Sequence, residues 1–335
     1  MTHGSRSESS VWCPCRTTEE GDAFAVGGCG GGVGGGPIDW TFGGTWPFAP
    51  RWFQTPEGRL HYIDEGPREG RPVVLVHGNP TWGYLWRNFI PPLVDAGYRV
   101  IAPDHLGFGR SDKPVDALLY RVPRHAARVE ALLESLDLRN VTIVPHDWGG
   151  VLGLSWAGKF PDRVRSLFVL NTAAHCPTEK VPMPLGLHLF RTSILGELLV
   201  KGAHAFVRGF LFRGGVVHPE RLGSIERTAY LAPHPTWSSR TGILVFPREI
   251  PAGPDSPACA FLGNVHDRLL RLRGKPIFIA WAMKDIAFTP RYLADLWLAD
   301  FPDAEVLRLP DAGHYLQEDA HERIVPALLD FLGRT

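Results

Sequence analysis

Residues 141–153, with the sequence VTIVPHDWGGVLG, constrain the fold of this chain more than any other stretch. A short β-branched run breaks at Asp147, and the chain continues as an apolar, glycine-spaced segment of helical length. This pattern predicts a strand, a tight turn and a helix. A residue at the top of such a turn has a strained backbone that pushes its side chain into a cavity. Gly149 and Gly150 provide the space, because a Cβ at either position would collide with the preceding strand.

The residue exposed by this turn is an acid, Asp147, where the familiar form of the turn carries serine. A carboxylate in that position attacks carbon directly and forms an ester intermediate. The alternative is an aspartate that caps the N-terminus of a helix, which is common. The choice between the two depends on which residues the rest of the fold brings close to Asp147.

From Trp46 onward, predicted strands alternate with predicted helices. Continuous apolar runs such as Pro72–His77 indicate strands that are buried on both faces. This alternation predicts an α/β fold with a mostly parallel central sheet and right-handed crossovers. The predicted strands are residues 51–55, 60–64, 72–77, 99–103, the run before Asp147, 166–171, 276–281 and 304–309, and the predicted helices are residues 82–95, 120–136, 148–160 and 322–331.

The alternation is interrupted once, between residues 173 and 270. This stretch contains a helical pattern over Leu185–Phe212, a proline-rich loop from Pro233 to Pro257 and no convincing buried strand. An insertion between two strands of an α/β sheet lies over the carboxyl edge, where ligands bind. We therefore predict a helical cap over residues 173–270 and a core formed by residues 46–172 and 271–335.

Residues 1–45 differ in composition from the core. The segment from Gly27 to Gly36 is nearly all glycine and cannot bury enough surface to offset its ordering entropy, so we predict a disordered glycine-rich leader over residues 1–45. Three of the five cysteines fall in this leader, and the odd total does not indicate a disulfide framework. Cysteine usage therefore predicts a reducing, cytoplasmic context. The lone Cys13-Pro14-Cys15 motif is a weak metal signal, and no metal is predicted.

The charge balance excludes some classes of partner. Lys plus Arg and Asp plus Glu both total 35, so the formal charge of zero provides no bulk attraction to nucleic acid or anionic lipid. No uninterrupted apolar run is long enough to span a bilayer. The 11 Trp and 18 Phe residues suit an apolar pocket as well as a core. These features favour a small neutral substrate.

Three further segments that could carry chemistry follow predicted strands, where they can converge with Asp147. In the first, His77-Gly78-Asn79, the backbone N–H of Asn79 can form an oxyanion hole with the backbone N–H of Trp148. In the others, Asp285 can orient a histidine and His314 is a candidate base. Taken alone, Asn79, Asp285 and His314 could each be an ordinary loop residue without a chemical role. Together, the order nucleophile, acid, histidine is the one expected in α/β-hydrolases.

With these residues in place, the sequence resembles the haloalkane dehalogenases of the α/β-hydrolase superfamily over about residues 46–333. The combination of Asn79 with Asp147-Trp148 is the more specific part of the match. Some members carry a Glu acid where this chain has Asn171, so the resemblance implies that Asp285 is the acid. The matching motifs are HGNPTW at 77–82, DHLGFGRSDKP at 104–114 and HDWGG at 146–150, together with Asp285 and His314.

The resemblance implies hydrolysis of haloalkanes to alcohol and halide, without metal or organic cofactor. Asp147 would form an alkyl ester while the side-chain amide of Asn79 and the indole N–H of Trp148 hold the halide. His314, oriented by Asp285, would then activate the water that hydrolyses the ester. A departing halide requires such N–H donors in a dry cavity, because no general acid usefully protonates it. The expected partners are a small neutral halogenated or apolar substrate and halide, rather than nucleic acid or membrane.

Other functions remain open at this point. An epoxide hydrolase shares the nucleophile, acid and histidine but normally uses two cap tyrosines, and residues 173–270 contain one, Tyr230. Another α/β-hydrolase, or a dehalogenase-like oxygenase, could use the same residues differently. A non-enzymatic small-molecule-binding scaffold on this fold would usually have lost Asp147, Asp285 or His314, and all three are present.

Overall fold

The computed structural model of the protein describes residues 38–180, 183 and 185–335. The first 37 residues of the predicted leader, with its Cys13-Pro14-Cys15 motif, lie outside the described residues. The described part contains an eight-stranded sheet with the order β1-β2-β4-β3-β5-β6-β7-β8. Its strands are β1 (Arg51–Thr55), β2 (Gly58–Glu65), β3 (Pro72–Val76), β4 (Arg99–Pro103), β5 (Val141–Pro145), β6 (Val164–Leu170), β7 (Ile277–Ala282) and β8 (Glu305–Leu309).

The sheet is antiparallel at one edge and parallel elsewhere. The pairs β1–β2 and β2–β4 are antiparallel, and every pair from β4–β3 to β7–β8 is parallel. This confirms the predicted fold class, an α/β-hydrolase fold with a mostly parallel sheet. Because β3, β5, β6, β7 and β8 run in one direction, the loops that follow them meet at one edge of the sheet.

Helices cover both the sheet and its carboxyl edge. Short 3-10 turns and π-helical segments, such as Leu198–Gly202 and Phe206–Gly214, separate some of them. The α-helices are α1 (Ile90–Asp95), α2 (Val122–Ser135), α3 (Trp148–Lys159), α4 (Leu185–Thr192), α5 (Ile194–Glu197), α6 (Ser224–Leu231), α7 (Thr241–Glu249), α8 (Cys259–Leu269), α9 (Pro290–Tyr292), α10 (Leu298–Asp300) and α11 (Leu316–Arg334).

The first and last predicted helices differ from the structure in extent. Residues 82–95 form a 3-10 turn, Gly83–Trp86, followed by α1, because Pro91 and Pro92 fit only the first turn of a helix. The last helix starts earlier than predicted, at Leu316, and Ala320 interrupts its helical backbone at φ −150°.

The segment between β6 and β7 contains helices α4 to α8, and its described residues include no strand. The predicted proline-rich loop from Pro233 to Pro257 is wrong in its centre, where α7 forms. A Cβ on Gly242 of α7 would lie 3.0 Å from Phe108 and 3.2 Å from Tyr120, so this helix packs closely on the core. Tertiary packing of its apolar residues therefore outweighs the local proline signal.

Residues 39–45 contradict part of the predicted leader. They form successive turns, and Phe42 is buried. The ring of Trp40 lies 5.9 Å from that of Trp82 in an edge-to-face contact. The aromatic residues of this short stretch thus bury enough surface to order it, and the packed chain begins before Trp46.

The prediction of no disulfide framework is also wrong for one pair, because Cys176 and Cys259 form a disulfide. They are 83 residues apart in sequence, one after β6 and the other at the start of α8, so spacing alone does not reveal the pair. Disulfides persist in oxidising compartments, so the cysteines no longer support a cytoplasmic location, which stays a prediction. Among the described helices, none has the length and apolar character needed to cross a bilayer.

Candidate active site

Asp147 lies at the turn between β5 and α3 with φ 52° and ψ −130°. A positive φ is a strained conformation for a residue with a Cβ, and such strain is typical of this type of turn. A Cβ on Gly149 would lie 2.1 Å from the carbonyl oxygen of Val76, and a Cβ on Gly150 would lie 1.8 Å from Oγ1 of Thr172. The glycines are therefore required by the strands beside β5 and the loops after them, rather than by the preceding strand itself.

The loop after β3 also requires a glycine for access to Asp147. A Cβ on Gly78 would lie 2.1 Å from Oδ1 of Asp147. With glycine there, the backbone N–H of Asn79 donates a 2.7 Å hydrogen bond to that oxygen. Trp148 is the first residue of α3, so its backbone N–H belongs to the free amides at the helix N-terminus. Asn79 thus contacts the carboxylate directly, and the oxyanion-hole role of the Trp148 N–H stays a prediction.

His314 lies between the two predicted carboxylates. Its Nδ1 is 2.9 Å from Oδ2 of Asp285, and its Nε2 is 3.4 Å from Oδ2 of Asp147. Asp147, Asp285 and His314 are each at most 9 % exposed, so little water competes for these contacts. The three side chains, which come from the loops after β5, β7 and β8, form an acid–histidine–acid arrangement of the kind that activates a nucleophile or a water.

Asp285 is held as an anion by hydrogen-bond donors. Its Oδ1 accepts the backbone N–H groups of Ala287 and Phe288 at 2.7 and 3.1 Å. Its Oδ2 accepts the side-chain amide of Asn171 at 2.9 Å, in addition to the ring of His314. Burial alone would raise the pKa of Asp285, but the charge and hydrogen bond of His314 and these backbone donors lower it.

The two carboxylates control the charge of His314. Burial alone would lower its pKa, but attraction to Asp285 and contacts with Asp147 raise the pKa of His314 to about 10. The 3.4 Å contact of its Nε2 with Asp147 is an ion pair that is longer than a well-formed hydrogen bond. With Asp147 ionised, the histidine is therefore a cation near neutral pH.

The two predicted halide donors both contact helix α7. The side-chain Nδ2 of Asn79 donates to the carbonyl oxygen of Ile243 at 3.3 Å. An amide nitrogen carries two hydrogens, so this bond leaves one for a ligand. The indole of Trp148 stacks on the ring of Phe246 at a centroid distance of 5.3 Å. Helix α7 therefore sets the orientation of both side chains.

Apolar rings surround the histidine. Phe210 and Phe288 have centroids 5.4 and 5.8 Å from the ring of His314, and Tyr315 lies 4.7 Å away. The hydroxyl of Tyr315 donates to the carbonyl oxygen of Asn79 at 3.0 Å and so ties the histidine loop to the loop after β3. These surroundings exclude water and strengthen the electrostatic interactions inside the site.

Tyr230 is engaged away from His314. Its hydroxyl donates to the carboxylate of Glu318, which also forms a two-bond ion pair with Arg87 at 2.6 Å. Burial and the charge of Glu318 raise the pKa of Tyr230 well above its ordinary value. The tyrosine therefore serves a buried network that joins α6 to α11.

Sequence reasoning missed several contributors to the site. Asn171 was considered only as the replacement of a Glu acid, yet it holds Asp285 and also accepts the N–H of Ala282 at 2.7 Å. Its place directly after a buried strand was an available signal. Ile243 and Phe246 gave no signal, because one acts through a backbone carbonyl and both lie in the predicted loop. One group of described residues has metal-ligand spacing, and it lies outside this site.

Comparison with known proteins identifies the family. A family model described as alpha/beta hydrolase fold matches residues 71–321. A cis-3-alkyl-4-alkyloxetan-2-one decarboxylase of Xanthomonas campestris is 39% identical over 82% of this chain and 92% of its own length. A haloalkane dehalogenase of Mycobacterium marinum is 35% identical over 85% of this chain and 94% of its own length.

Solved structures lead to the same family. The haloalkane dehalogenase DbeA from Bradyrhizobium elkani superposes with a TM-score of 0.77 at 27% identity, over 86% of this chain and 98% of that one. The matched range of the family model includes the loops that carry Asp147, Asp285 and His314. This chain is therefore an enzyme of the α/β-hydrolase fold and belongs to the haloalkane dehalogenase family.

Proposed function

We propose that Asp147 displaces a leaving group from an alkyl carbon of a small apolar substrate and forms an alkyl ester. The observation that carries this proposal is the position of the Asp147 carboxylate, at a strained turn between the Asn79 N–H and the ring of His314. A carboxylate that is buried among apolar rings, with N–H donors beside it, suits a displacement in which negative charge moves onto the leaving group.

With a haloalkane, the reaction has two steps. Asp147 attacks the carbon in line, and halide departs toward the free amide hydrogen of Asn79 and the indole N–H of Trp148. His314 then takes a proton from water, which attacks the ester carbonyl and releases the alcohol. Ester formation removes the negative charge of Asp147, which is one cause of the raised pKa of His314. The histidine therefore becomes a stronger candidate for the base once the ester exists.

A cis-3-alkyl-4-alkyloxetan-2-one is a second candidate substrate. The specific observation in its favour is the 39% identity to a decarboxylase of that name, against 35% to the dehalogenase. Attack of Asp147 at ring carbon 4 would break its bond to the ring oxygen, and the leaving group is a carboxylate that remains attached through carbon 3. The N–H donors that suit halide also suit this carboxylate.

The second step of the lactone reaction requires no water. The bond between carbon 3 and the carboxylate breaks, and its electron pair forms the double bond between carbons 3 and 4. The ester bond between carbon 4 and Asp147 breaks at the same time, which regenerates the free Asp147 carboxylate. The products are carbon dioxide and an alkene. Inversion at carbon 4 followed by anti elimination converts a cis ring into a cis alkene. Because the chain has the higher identity to the decarboxylase, this lactone is tested before a bromoalkane.

Two alternatives have less support. An epoxide hydrolase uses cap tyrosines to donate to the epoxide oxygen, whereas the hydroxyl of Tyr230 donates to Glu318. A non-enzymatic scaffold would not need the buried contacts that keep Asp285 ionised beside His314.

A substrate panel tests the proposal. The purified protein is incubated separately with a cis-3,4-dialkyl oxetan-2-one, a set of bromoalkanes and styrene oxide, with Asp147→Asn as the matched control. We expect cis alkene with carbon dioxide, or halide with alcohol, from the wild type and neither from the variant. Diol from styrene oxide without either product, or equal turnover by Asp147→Asn, would contradict the proposal.

A further inference from the structure

A second cluster of chemically capable side chains lies away from Asp147. His175 follows β6 on the path toward α4, His266 lies on α8, and Asp300 is the last residue of α10. The Nε2 atoms of both histidines point at the same oxygen, Oδ2 of Asp300, at distances of 2.9 and 2.7 Å. The three ligand atoms all lie within 4.8 Å of one another.

The geometry points to a divalent-cation site, and we infer that His175, His266 and Asp300 bind Zn²⁺ or a similar borderline transition metal. Two imidazoles and one carboxylate form a donor set that such ions prefer. Metal–ligand bonds of about 2.0–2.1 Å in a tetrahedral site separate neighbouring ligand atoms by about 3.3 Å. The present distances of 2.9 and 2.7 Å are shorter by about half an ångström, so the histidine rings would have to move slightly apart from Oδ2 to admit the ion, and a water would complete the coordination.

The disulfide pre-organises this cluster. Cys176 directly follows His175, and Cys259 lies seven residues before His266 on α8, which places the two on one face of the helix. The covalent bond therefore fixes the His175 segment against the face of α8 that carries His266. A metal ligand set gains affinity when its members are held in place before the ion arrives.

The charges around the cluster are compatible with a cation. Asp300 supplies the negative charge of the cluster, and its Oδ2 faces Nε2 of both histidines. The side chain of Arg273 lies 3.5 Å from Oδ1 of Asp300 and is 57% exposed. It can therefore stay paired with Oδ1 or turn to solvent while Oδ2 binds the metal.

The position of the cluster gives the metal a role. His175 leads from the sheet into the helical segment between β6 and β7, His266 leads back to the sheet, and Asp300 belongs to the segment before β8. A bound ion would join these three connections. It would stabilise the base of the segment that carries α7, without taking part in the chemistry of Asp147.

The test is metal titration of the full chain with its disulfide intact, verified by mass spectrometry without reductant. Cys13, Cys15 and Cys29 are first replaced with serine, so that their thiols cannot bind the added ion. We expect this protein to bind one equivalent of Zn²⁺ by calorimetry and to give the visible spectrum of tetrahedral Co²⁺. A rise in melting temperature with Zn²⁺ should accompany binding.

Variants in this background locate the site. Asp300→Asn, which keeps the shape of the side chain, and His266→Ala should each weaken binding by at least about tenfold. His218→Ala is the matched control, because that histidine pairs with Glu220 on the surface, and it should bind as the parent does. Absence of saturable binding in the parent, or full binding in both Asp300→Asn and His266→Ala, would show that the cluster is only a hydrogen-bonded support.

Discussion

The replacement His314→Gln separates the two proposed reactions. In dehalogenation, the ester of Asp147 requires a base for water, and His314 is the base within reach, with Nε2 3.4 Å from Oδ2. General-base catalysis contributes about 100-fold to 10,000-fold, so hydrolysis of the ester should slow by that factor. Halide release by attack of Asp147 does not require the base. The variant should therefore release one equivalent of halide per chain in a burst and then continue only at the slowed rate of ester hydrolysis.

The lactone reaction should respond differently to the same replacement. It returns the Asp147 carboxylate by loss of carbon dioxide and uses no water, so His314→Gln should retain multiple turnovers of an oxetan-2-one. The assay is rapid-quench measurement of halide or alkene, followed by mass spectrometry of the peptide that contains Asp147. A bromoalkane should leave a stable alkyl adduct on that peptide. An unmodified peptide after a halide burst, or an equal loss of both activities, would refute this reasoning.

Three further predictions concern positioning and stability. Asn171→Ala removes one of the donors that hold Asp285, so ester hydrolysis should slow by up to about 100-fold while the halide burst remains, and an unchanged steady-state rate and pH profile would contradict this. Glu318→Gln leaves the buried Arg87 without its counter-charge and should lower the free energy of unfolding by about 3–5 kcal/mol in urea titrations, whereas Glu322→Gln, in an exposed pair, should cost less than about 1 kcal/mol. Burial and a neighbouring imidazolium lower the pKa of His146 to about 4, so its contribution is complete above about pH 6.5 and is lost on acidification at about 1.4 kcal/mol per pH unit. Other buried histidines titrate in the same range, so the measurement compares the wild type with His146→Gln, and an equal loss of unfolding free energy in both between pH 6.5 and 5 would contradict the last prediction.

The sheet and the arrangement of its loops were predictable from the sequence because strand signals are local. The β5 run, the turn at Asp147 and the glycines after it are contiguous, and the sheet places the loops with Asp285 and His314 beside them. Parallel strands bring their carboxyl ends together whatever the intervening sequence, so chain order was sufficient to group these residues.

Contacts between distant segments were not predictable in the same way. The disulfide joins residues 83 apart, and the cluster at Asp300 combines three segments that share no spacing pattern. The ordered turns at residues 39–45 depend on the packing of Trp40 and Phe42 against residues that follow β3. Local composition carries no information about such partners, because burial against a distant surface decides their structure.

The identity of the leaving group also depends on contacts between distant segments, so local sequence does not predict it. In the proposed mechanisms Asp147 serves a haloalkane and a lactone alike, and relatives at 39% and 35% identity are named for those two different reactions. The donors beside Asp147 are the groups that would meet either leaving group, and here the amide of Asn79 contacts the carbonyl oxygen of Ile243 and the indole of Trp148 stacks on Phe246. Both contacts come from α7, the helix that lies where the sequence predicted a proline-rich loop. We therefore expect α7 to influence the selection between halide and carboxylate, and substitutions at Phe246 should change the ratio of alkene formation to halide release more than they change the total turnover.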